Sequence, residues 1–212
     1  MTLLQSKRVI LFGIGGVGSW AAECLIRTGL THLTIVDGDT VQPSNLNRQL
    51  PATQPALGQA KVEALKARLL TINPEAEIIA RKEMVNDEWL TANGLQGYDY
   101  IIDAIDSVQD KTDLLLFASR LKGTKIFSSM GAALRFDPTK VTTGELMAIK
   151  GDALAKAVRT RMKRMDRYPS RKIRCVYSTE QAQPCETRGS LMQVTAVFGL
   201  TLASMVIEDI RQ

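Results

Sequence analysis

The stretch GIGGVGSW, residues Gly13–Trp20, follows directly on the apolar run Arg8–Phe12 and decides the fold of this chain. It satisfies the pattern G-x-G-x-x-G, in which Gly13, Gly15 and Gly18 let the backbone turn from a buried strand into a helix. Amide groups at such a turn and the positive end of the helix dipole attract phosphate. The sequence therefore predicts a nucleotide-binding α/β domain. It leaves open whether the nucleotide is a dinucleotide cofactor or one that is consumed.

Apolar runs alternate with helical patterns along the chain, which predicts a Rossmann-like, doubly wound, mainly parallel sheet with helices on both faces. The predicted strands are Val9–Gly13, Leu33–Asp37, Ile78–Ile79, Tyr100–Asp103, Lys125–Ser129 and Arg174–Ser178. The predicted helices are Val17–Thr28, Gln59–Ile72, Val108–Leu121, Asp152–Met165 and Met192–Ile210. The length of 212 residues fits one domain, with a nucleotide-binding half at 1–134 and a second half at 135–212 that ends in an antiparallel extension.

Composition argues against several classes of protein. No uninterrupted apolar run approaches the roughly 20 residues of a membrane span, and the N-terminus lacks a signal-peptide pattern, so a cytoplasmic protein without membrane contact is expected. The three cysteines form no C-x-x-C pair and His32 is the only histidine, which argues against structural zinc and histidine catalysis. Cys24 is expected in the core and Cys185 at the surface, without a catalytic role.

The segment after the second predicted strand decides between the two kinds of nucleotide. Asp37 lies about 20 residues beyond the glycine turn, where a carboxylate accepts hydrogen bonds from ribose hydroxyls, and by itself this favours an NAD-dependent oxidoreductase. Asp39, Arg48 and Lys61 follow, and the two cations suit a triphosphate. Asp106 follows the strand that ends at the same sheet edge and suits Mg²⁺. Taken singly, these residues also fit a surface ion pair, a helix-face cation and a helix N-cap.

The segment Lys156–Arg174 is strongly basic, with nine Lys or Arg residues and one acid, Asp166. The composition of this segment fits a solvated helix face and a polyanion-binding patch equally well.

Four motifs within residues 8–134 resemble a known family of adenylating enzymes. They are G-x-G-G-x-G, D-x-D-x-V-x-x-S-N-x-x-R-Q, G-x-x-K and D-A-x-D-S. They are similar to those of the ubiquitin activators and of the ThiF-type enzymes that activate sulfur carriers in thiamine and molybdopterin synthesis. Sulfur-carrier activators usually carry two C-x-x-C pairs, which this sequence lacks. The second half instead resembles the tRNA threonylcarbamoyladenosine dehydratases, through FDPTKV at 136–141, VYSTE at 176–180 and VTAVFG at 194–199.

That resemblance implies a homodimer that uses ATP and Mg²⁺ to cyclise the threonylcarbamoyl group of the modified adenosine beside the anticodon of tRNA. It implies a nucleotide site of Gly13, Gly15, Gly16, Gly18, Asp37, Asp39, Asn45, Arg48, Lys61, Asp106 and Lys111. Within this set Arg48, Lys61 and Asp106 act in catalysis, and Asp106 lies on the magnesium side. It assigns tRNA binding to Lys156, Arg159, Lys163, Arg164, Arg167, Arg171 and Lys172.

Other hypotheses stay open at this stage. One is an adenylyltransferase that activates the C-terminus of a ubiquitin-like or sulfur-carrier protein, and others are an NAD enzyme and a nucleotide-sensing RNA-binding module. A monovalent cation and a sulfur-transfer-type protein partner are also left open. The resemblance further implies a leading helical segment whose arginine contacts the partner subunit's ATP. The seven residues before Arg8 contain no arginine, which fits a shortened chain or the absence of that contact.

Overall fold

The computed structural model describes residues 2–182 and 189–211. The strands are β1 (Arg8–Phe12), β2 (His32–Val36), β3 (Glu77–Arg81), β4 (Tyr100–Asp103), β5 (Lys125–Ser129), β6 (Val141–Glu145) and β7 (Arg174–Ser178). The helices are α1 (Thr2–Gln5), α2 (Gly18–Arg27), α3 (Lys61–Ile72), α4 (Asp87–Asn93), α5 (Val108–Ala118), α6 (Ala153–Arg164) and α7 (Met192–Arg211).

The strands form one sheet in the order β3-β2-β1-β4-β5-β7-β6. Every neighbouring pair is parallel except β6 and β7, which pair antiparallel. The predicted doubly wound sheet with a C-terminal antiparallel extension is therefore confirmed. From β1 the chain adds β2 and β3 on one side of the sheet and then β4 and β5 on the other. The direction in which strands are added therefore reverses between β1 and β4, and a crevice opens at the carboxyl ends of these two strands, where such sheets bind ligands.

Helices cover both faces of the sheet because side chains alternate along each buried strand. Val9 and Leu11 of β1 pack with α2, α3 and α7 on one face. Ile10 and Phe12 pack with α4, α5 and α6 on the other face. The long apolar runs that predict the strands are thus explained by burial on both sides.

Three elements beyond the predicted set occur in the fold, namely α1, α4 and β6. The side chain of Asn86 accepts a hydrogen bond from the Trp89 N–H and starts α4, a capping signal that the sequence carries. Strand β6 has the sequence VTTGE and contacts only β7 within the described sheet. Its polar residues and interior glycine give little strand signal, so its position depends on pairing with a distant strand.

Helix α7 has the length and mean hydropathy, 1.4, that would suffice to cross a membrane. In this fold it packs on α2 and the sheet, and Val194, Phe198, Leu202 and Val206 are buried in the core. The helix therefore has the packing of a core helix, as the sequence predicts.

Candidate active site

A cavity of about 730 Å³ opens at the carboxyl ends of the central strands. On the side of β1 and β2 it is lined by the glycine turn and the polar segment after β2. On the side of β4 and β5 it is lined by Ala104–Val108, Ser129–Arg135 and the first turn of α6. The cavity therefore joins the predicted nucleotide-binding half to the second half of the chain.

The glycine turn lies at the base of this cavity, where Gly13, Gly15 and Gly16 are part of the lining. Gly13 has a φ of +86°, and a Cβ there would lie 2.6 Å from the carbonyl oxygen of Ala104. A Cβ on Gly18 would lie 1.9 Å from the carbonyl oxygen of Gly13. Gly18 is buried at the start of α2 and lies outside the cavity lining, so it allows the turn to pack. Its predicted contact with the nucleotide stays a prediction.

Asp37 organises the turn from the end of β2. Its Oδ2 accepts a hydrogen bond from the Ile14 N–H at 2.6 Å, and its Oδ1 accepts one from the Asp39 N–H at 2.9 Å. The side chain also lines the cavity. The carboxylate thus holds two backbone segments together, while its predicted contact with ribose stays a prediction.

Two cations line the β1 and β2 side of the cavity. The Lys61 ammonium lies 2.7 Å from Asp39 Oδ2, and the lysine side chain is 7% exposed whereas that of Asp39 is 62% exposed. Arg48 donates from Nη1 to the Ser44 carbonyl oxygen and to Asn47 Oδ1, both at 2.9 Å. Both cations are therefore fixed by the protein before any ligand binds.

Two polar residues of the segment after β2, Asn45 and Gln49, are buried. Asn45 is buried, its Oδ1 accepts a hydrogen bond from the Gln42 N–H, and its carbonyl oxygen accepts from the N–H groups of Arg48 and Gln49. Its backbone therefore helps to position Arg48, while its predicted contact with the nucleotide stays a prediction. Gln49 lines the cavity, is buried, and its Oε1 has no hydrogen-bond partner within residues 2–182 and 189–211. The sequence signal that could have marked Gln49 as a site residue is its position directly after Arg48, at the end of the R-Q motif.

Asp106 is an exposed carboxylate on the β4 side of the cavity. The helix α5 is capped by Ser107, whose Oγ accepts the Asp110 N–H at 3.4 Å, so the N-cap interpretation of Asp106 is wrong. Asp106 makes no hydrogen bond or ion pair to any residue in the described ranges. The carboxylate is therefore available to a ligand or a cation.

Lys111 lies below the cavity and is fully buried. Its ammonium contacts Asp103 Oδ2 at 2.6 Å, the Ser129 carbonyl oxygen at 2.9 Å and Ser128 Oγ at 3.3 Å. An ammonium has three donors, and these three contacts use all of them. Lys111 therefore supports the ends of β4 and β5 and has no donor left for phosphate, which corrects its prediction as a nucleotide contact.

The segment after β3 adds a cavity wall that the sequence motifs leave out. Glu83, Met84 and Val85 line the cavity, and Met84 is 65% exposed. No motif marks these residues, because their position follows from the neighbouring placement of β2 and β3 in the sheet.

A groove of about 560 Å³ lies between α5 and α6 and adjoins the cavity, because Val108, Ala153 and Ala157 line both. Its basic residues are Lys156, Arg161 and Arg164. Two of the predicted tRNA-binding residues, Lys156 and Arg164, therefore line this groove.

Other basic residues are held by the protein itself. Arg161 pairs with Asp113 at 3.5 Å, and burial raises the pKa of Asp113 although the arginine opposes this shift. Arg159 donates to the Leu146 carbonyl oxygen at 2.9 Å. Arg171 donates to the carbonyl oxygens of Ala118 and Thr124 and is half-buried, and burial lowers its pKa. Arg171 therefore holds the end of α5 through Nη2, and its predicted contact with tRNA stays a prediction.

Neither described cysteine has the properties of a nucleophile. Burial raises the pKa of Cys24, and it raises the pKa of Cys175 to about 12. A thiol with a raised pKa carries little of the reactive thiolate. Cys185 lies outside the described residues.

Comparison with known proteins agrees with these observations. A family model described as the ThiF family matches residues 1–212. The tRNA threonylcarbamoyladenosine dehydratase of Haemophilus influenzae is 33% identical over 98% of this chain and 87% of that protein. The crystal structure of the Escherichia coli tRNA N6-threonylcarbamoyladenosine dehydratase in complex with ATP superposes with a TM-score of 0.92 and 33% identity, over 99% of this chain and 88% of that chain. The molybdopterin-synthase adenylyltransferase of Escherichia coli is 33% identical over 63% of this chain and 52% of that protein.

Proposed function

The chain belongs to the ThiF family, and from this premise we propose that it is an ATP-dependent dehydratase that cyclises N6-threonylcarbamoyladenosine in tRNA. The observation that carries the proposal is the cavity in which a glycine turn, Arg48, Lys61 and the unpaired carboxylate of Asp106 meet. It occurs in a chain that shares its whole fold with an ATP-binding tRNA threonylcarbamoyladenosine dehydratase.

The chemistry follows from these groups. A carboxylate oxygen of the threonyl group attacks the α-phosphorus of ATP, the bond to the bridging oxygen breaks, and pyrophosphate leaves. An internal nucleophile of the carbamoyl group then loses its proton and attacks the activated acyl carbon, and AMP leaves. The nucleoside has lost one water in total. No enzyme nucleophile is needed, which fits the two described cysteines.

Arg48 and Lys61 supply positive charge for the phosphates as charge develops during the attack. Because Asp39 holds the Lys61 ammonium at 2.7 Å, ATP binding has to share or break this ion pair. Asp106 is the residue that we propose for Mg²⁺, since Mg²⁺ is usually bound by one or two carboxylates together with substrate phosphates. The proposed nucleotide contacts are completed by Gly13, Gly15, Gly16, Asp37 and Asp39.

The groove beside the cavity is the proposed entry for tRNA. Lys156 and Arg164 line it next to residues that also line the cavity, so phosphates held there lie near the reacting nucleotide. Lys163, Arg167 and Lys172 extend the basic surface, and phosphate contacts of this kind give salt-dependent affinity. Homodimer formation and a cytoplasmic location belong to the same proposal. A monovalent cation and a sulfur-transfer-type partner stay predictions.

Incubation with ATP, Mg²⁺ and native tRNA tests the proposal directly. After digestion to nucleosides, mass spectrometry should detect loss of one water from the threonylcarbamoyl nucleoside, and only when ATP is present. The absence of this product from a folded, ATP-binding protein would contradict the proposed function.

The alternative within the family is activation of the C-terminus of a sulfur-carrier or ubiquitin-like protein. It is supported by partial matches such as that to the molybdopterin-synthase adenylyltransferase. ATP–pyrophosphate exchange stimulated by a partner protein that ends in Gly-Gly, and not by threonylcarbamoylated tRNA, would decide for it.

A further inference from the structure

The loop after β5 carries a buried guanidinium that the proposed nucleotide site does not use. Arg135 lines the cavity and is 3% exposed. Its Nε donates to the Gly131 carbonyl oxygen at 3.1 Å, and its Nη2 donates to Asp152 Oδ2 at 3.3 Å. The side chain is therefore clamped at one edge of its planar group.

Asp152 joins this arginine to α6. Its side chain accepts hydrogen bonds from the N–H groups of Gly131 at 3.1 Å and of Ala155 at 2.9 Å, the second of which caps the helix. Leu134 lies between Gly131 and Arg135 in the same loop and has a φ of +59°. This left-handed conformation is rare for a leucine, and such backbone conformations cluster at functional sites. Arg135 is thus held by a rigid support built from both halves of the chain.

The opposite edge of the guanidinium is unsatisfied. Arg135 Nη1 is buried and has no hydrogen-bond partner in the part of the chain that the structure describes. Nη1 carries two N–H donors, and buried donors without a partner are rare in folded proteins because they are costly. The cavity lining next to Arg135 in the sequence is Ala132, Ala133 and Leu134, and within the described residues the acidic side chain that pairs with Arg135 is Asp152, through Nη2 and not Nη1.

The position of Arg135 in the sheet identifies the anion that it would take. The glycine turn, Arg48 and Lys61 lie toward β1 and β2, whereas Arg135 follows β5, and β4 lies between β1 and β5. In the proposed function, the phosphates of ATP are bound by Arg48 and Lys61, on the side of β1 and β2. The second anion of the proposed reaction is the carboxylate that must lie against the α-phosphate.

We propose that Arg135 binds the threonyl carboxylate of the modified adenosine and holds it for attack on ATP. This inference rests on the proposed function and adds the residue that recognises the reacting group. A guanidinium matches a carboxylate in geometry and charge. A hydrogen bond from Arg135 to one carboxylate oxygen replaces the water that the carboxylate loses on entering the cavity. The other carboxylate oxygen stays free to attack the α-phosphorus. Holding the two reactants in this way raises their effective concentration.

The test compares two forms of the same tRNA, one with the threonylcarbamoyl group and one with unmodified adenosine, in the presence of a non-cleavable ATP analogue. Arg135→Gln should weaken binding of the modified tRNA by about 10- to 100-fold, the effect of one charge-assisted hydrogen-bonded contact. Its affinity for unmodified tRNA and for the ATP analogue should stay within about twofold of wild type. Arg120→Gln, an exposed arginine in the turn after α5, is the control of equal charge change and should leave all three affinities unchanged.

Two further variants keep the inference falsifiable if the loss of Arg135 alone disturbs folding. Arg135→Gln combined with Asp152→Asn removes both buried charges, and it should show the same selective loss with modified tRNA. Arg135→Lys keeps the charge and should retain part of the preference for modified tRNA.

The possible results distinguish failure of the inference about Arg135 from failure of the proposed function. A folded Arg135→Gln protein that keeps the wild-type preference for modified tRNA would overturn the inference. Equal weakening with both tRNAs, or weaker binding of the ATP analogue, would also overturn it, because Arg135 would then contact the RNA backbone or the nucleotide. Failure of the wild-type protein to dehydrate modified tRNA would instead count against the proposed function.

Discussion

Replacement of Lys111 by methionine separates a supporting role from a nucleotide contact. Lys111 and Asp103 are both fully buried and lie 2.6 Å apart, and Asp103 Oδ1 also accepts the Ile105 N–H at 3.0 Å. Methionine fills similar space but leaves the Asp103 carboxylate as a buried charge without its counter-ion. Breaking such a pair from one side costs about 3–5 kcal/mol of unfolding free energy, which corresponds to a fall in Tm of roughly 6 to 20 °C for a domain of this size.

Denaturant unfolding and thermal melts measure this loss, and ATP titration of the folded variant measures the affinity. Lys122→Met, an exposed lysine in the turn after α5, should change stability by no more than about 0.5 kcal/mol. Lys111→Met combined with Asp103→Asn should recover most of the lost stability because no unpaired charge remains. A stable Lys111→Met protein that has lost ATP affinity would refute the reasoning and return Lys111 to the nucleotide contacts.

Three further predictions concern the site, the groove and pH. Asp106→Ala should lower the rate of AMP formation by about 10²- to 10³-fold, the effect of losing a group that stabilises transition-state charge. The same variant should leave tRNA binding unchanged in a filter-binding assay. Turnover at the wild-type rate would exclude Asp106 from catalysis. Lys156→Glu and Arg164→Glu, each made singly, should weaken tRNA binding and reduce its salt dependence. Lys163→Glu carries the same charge change on the same helix but lies outside the groove lining, and it should have the smaller effect. Equal effects of the three variants would argue against the groove. Burial raises the pKa of Glu23, but hydrogen bonds from its arginine partners outweigh this and hold it below its ordinary value of 4.5, so its stabilising contribution is present above pH 4.5 and lost as pH falls through the lower folded value. Acid unfolding curves of Glu23→Gln should therefore show a smaller loss of stability between neutral pH and pH 3 than wild type, and an unchanged pH dependence would contradict this assignment.

The sheet could be predicted from the sequence because the parallel strands are buried on both faces and stand out as apolar runs, as with Arg8–Phe12 and Tyr100–Asp103. The grouping of Asp37, Arg48 and Asp106 at one cavity could also be predicted, since the carboxyl ends of parallel strands share one edge of a sheet. The cavity thus follows from strand order together with motif positions.

The remaining site features depend on contacts between distant residues. The sequence shows that Lys111 is a cation but not that Asp103, Ser128 and Ser129 use all its donors. The pairing of Arg135 with Asp152 likewise depends on how the loop after β5 meets the start of α6. Burial and pairing of this kind are set by tertiary packing, which residue type and local periodicity do not encode.

Transfer of an oxygen label tests the central claim, adenylation of a tRNA-borne carboxylate, most directly. Threonylcarbamoylated tRNA with ¹⁸O in both oxygens of the threonyl carboxylate is converted with ATP and Mg²⁺, and the AMP is analysed by mass spectrometry. The carboxylate oxygen that attacks the α-phosphorus leaves with AMP, so each AMP should carry one ¹⁸O and one AMP should form per dehydrated nucleoside. Unlabelled AMP, or dehydration accompanied by ADP and phosphate, would contradict the account.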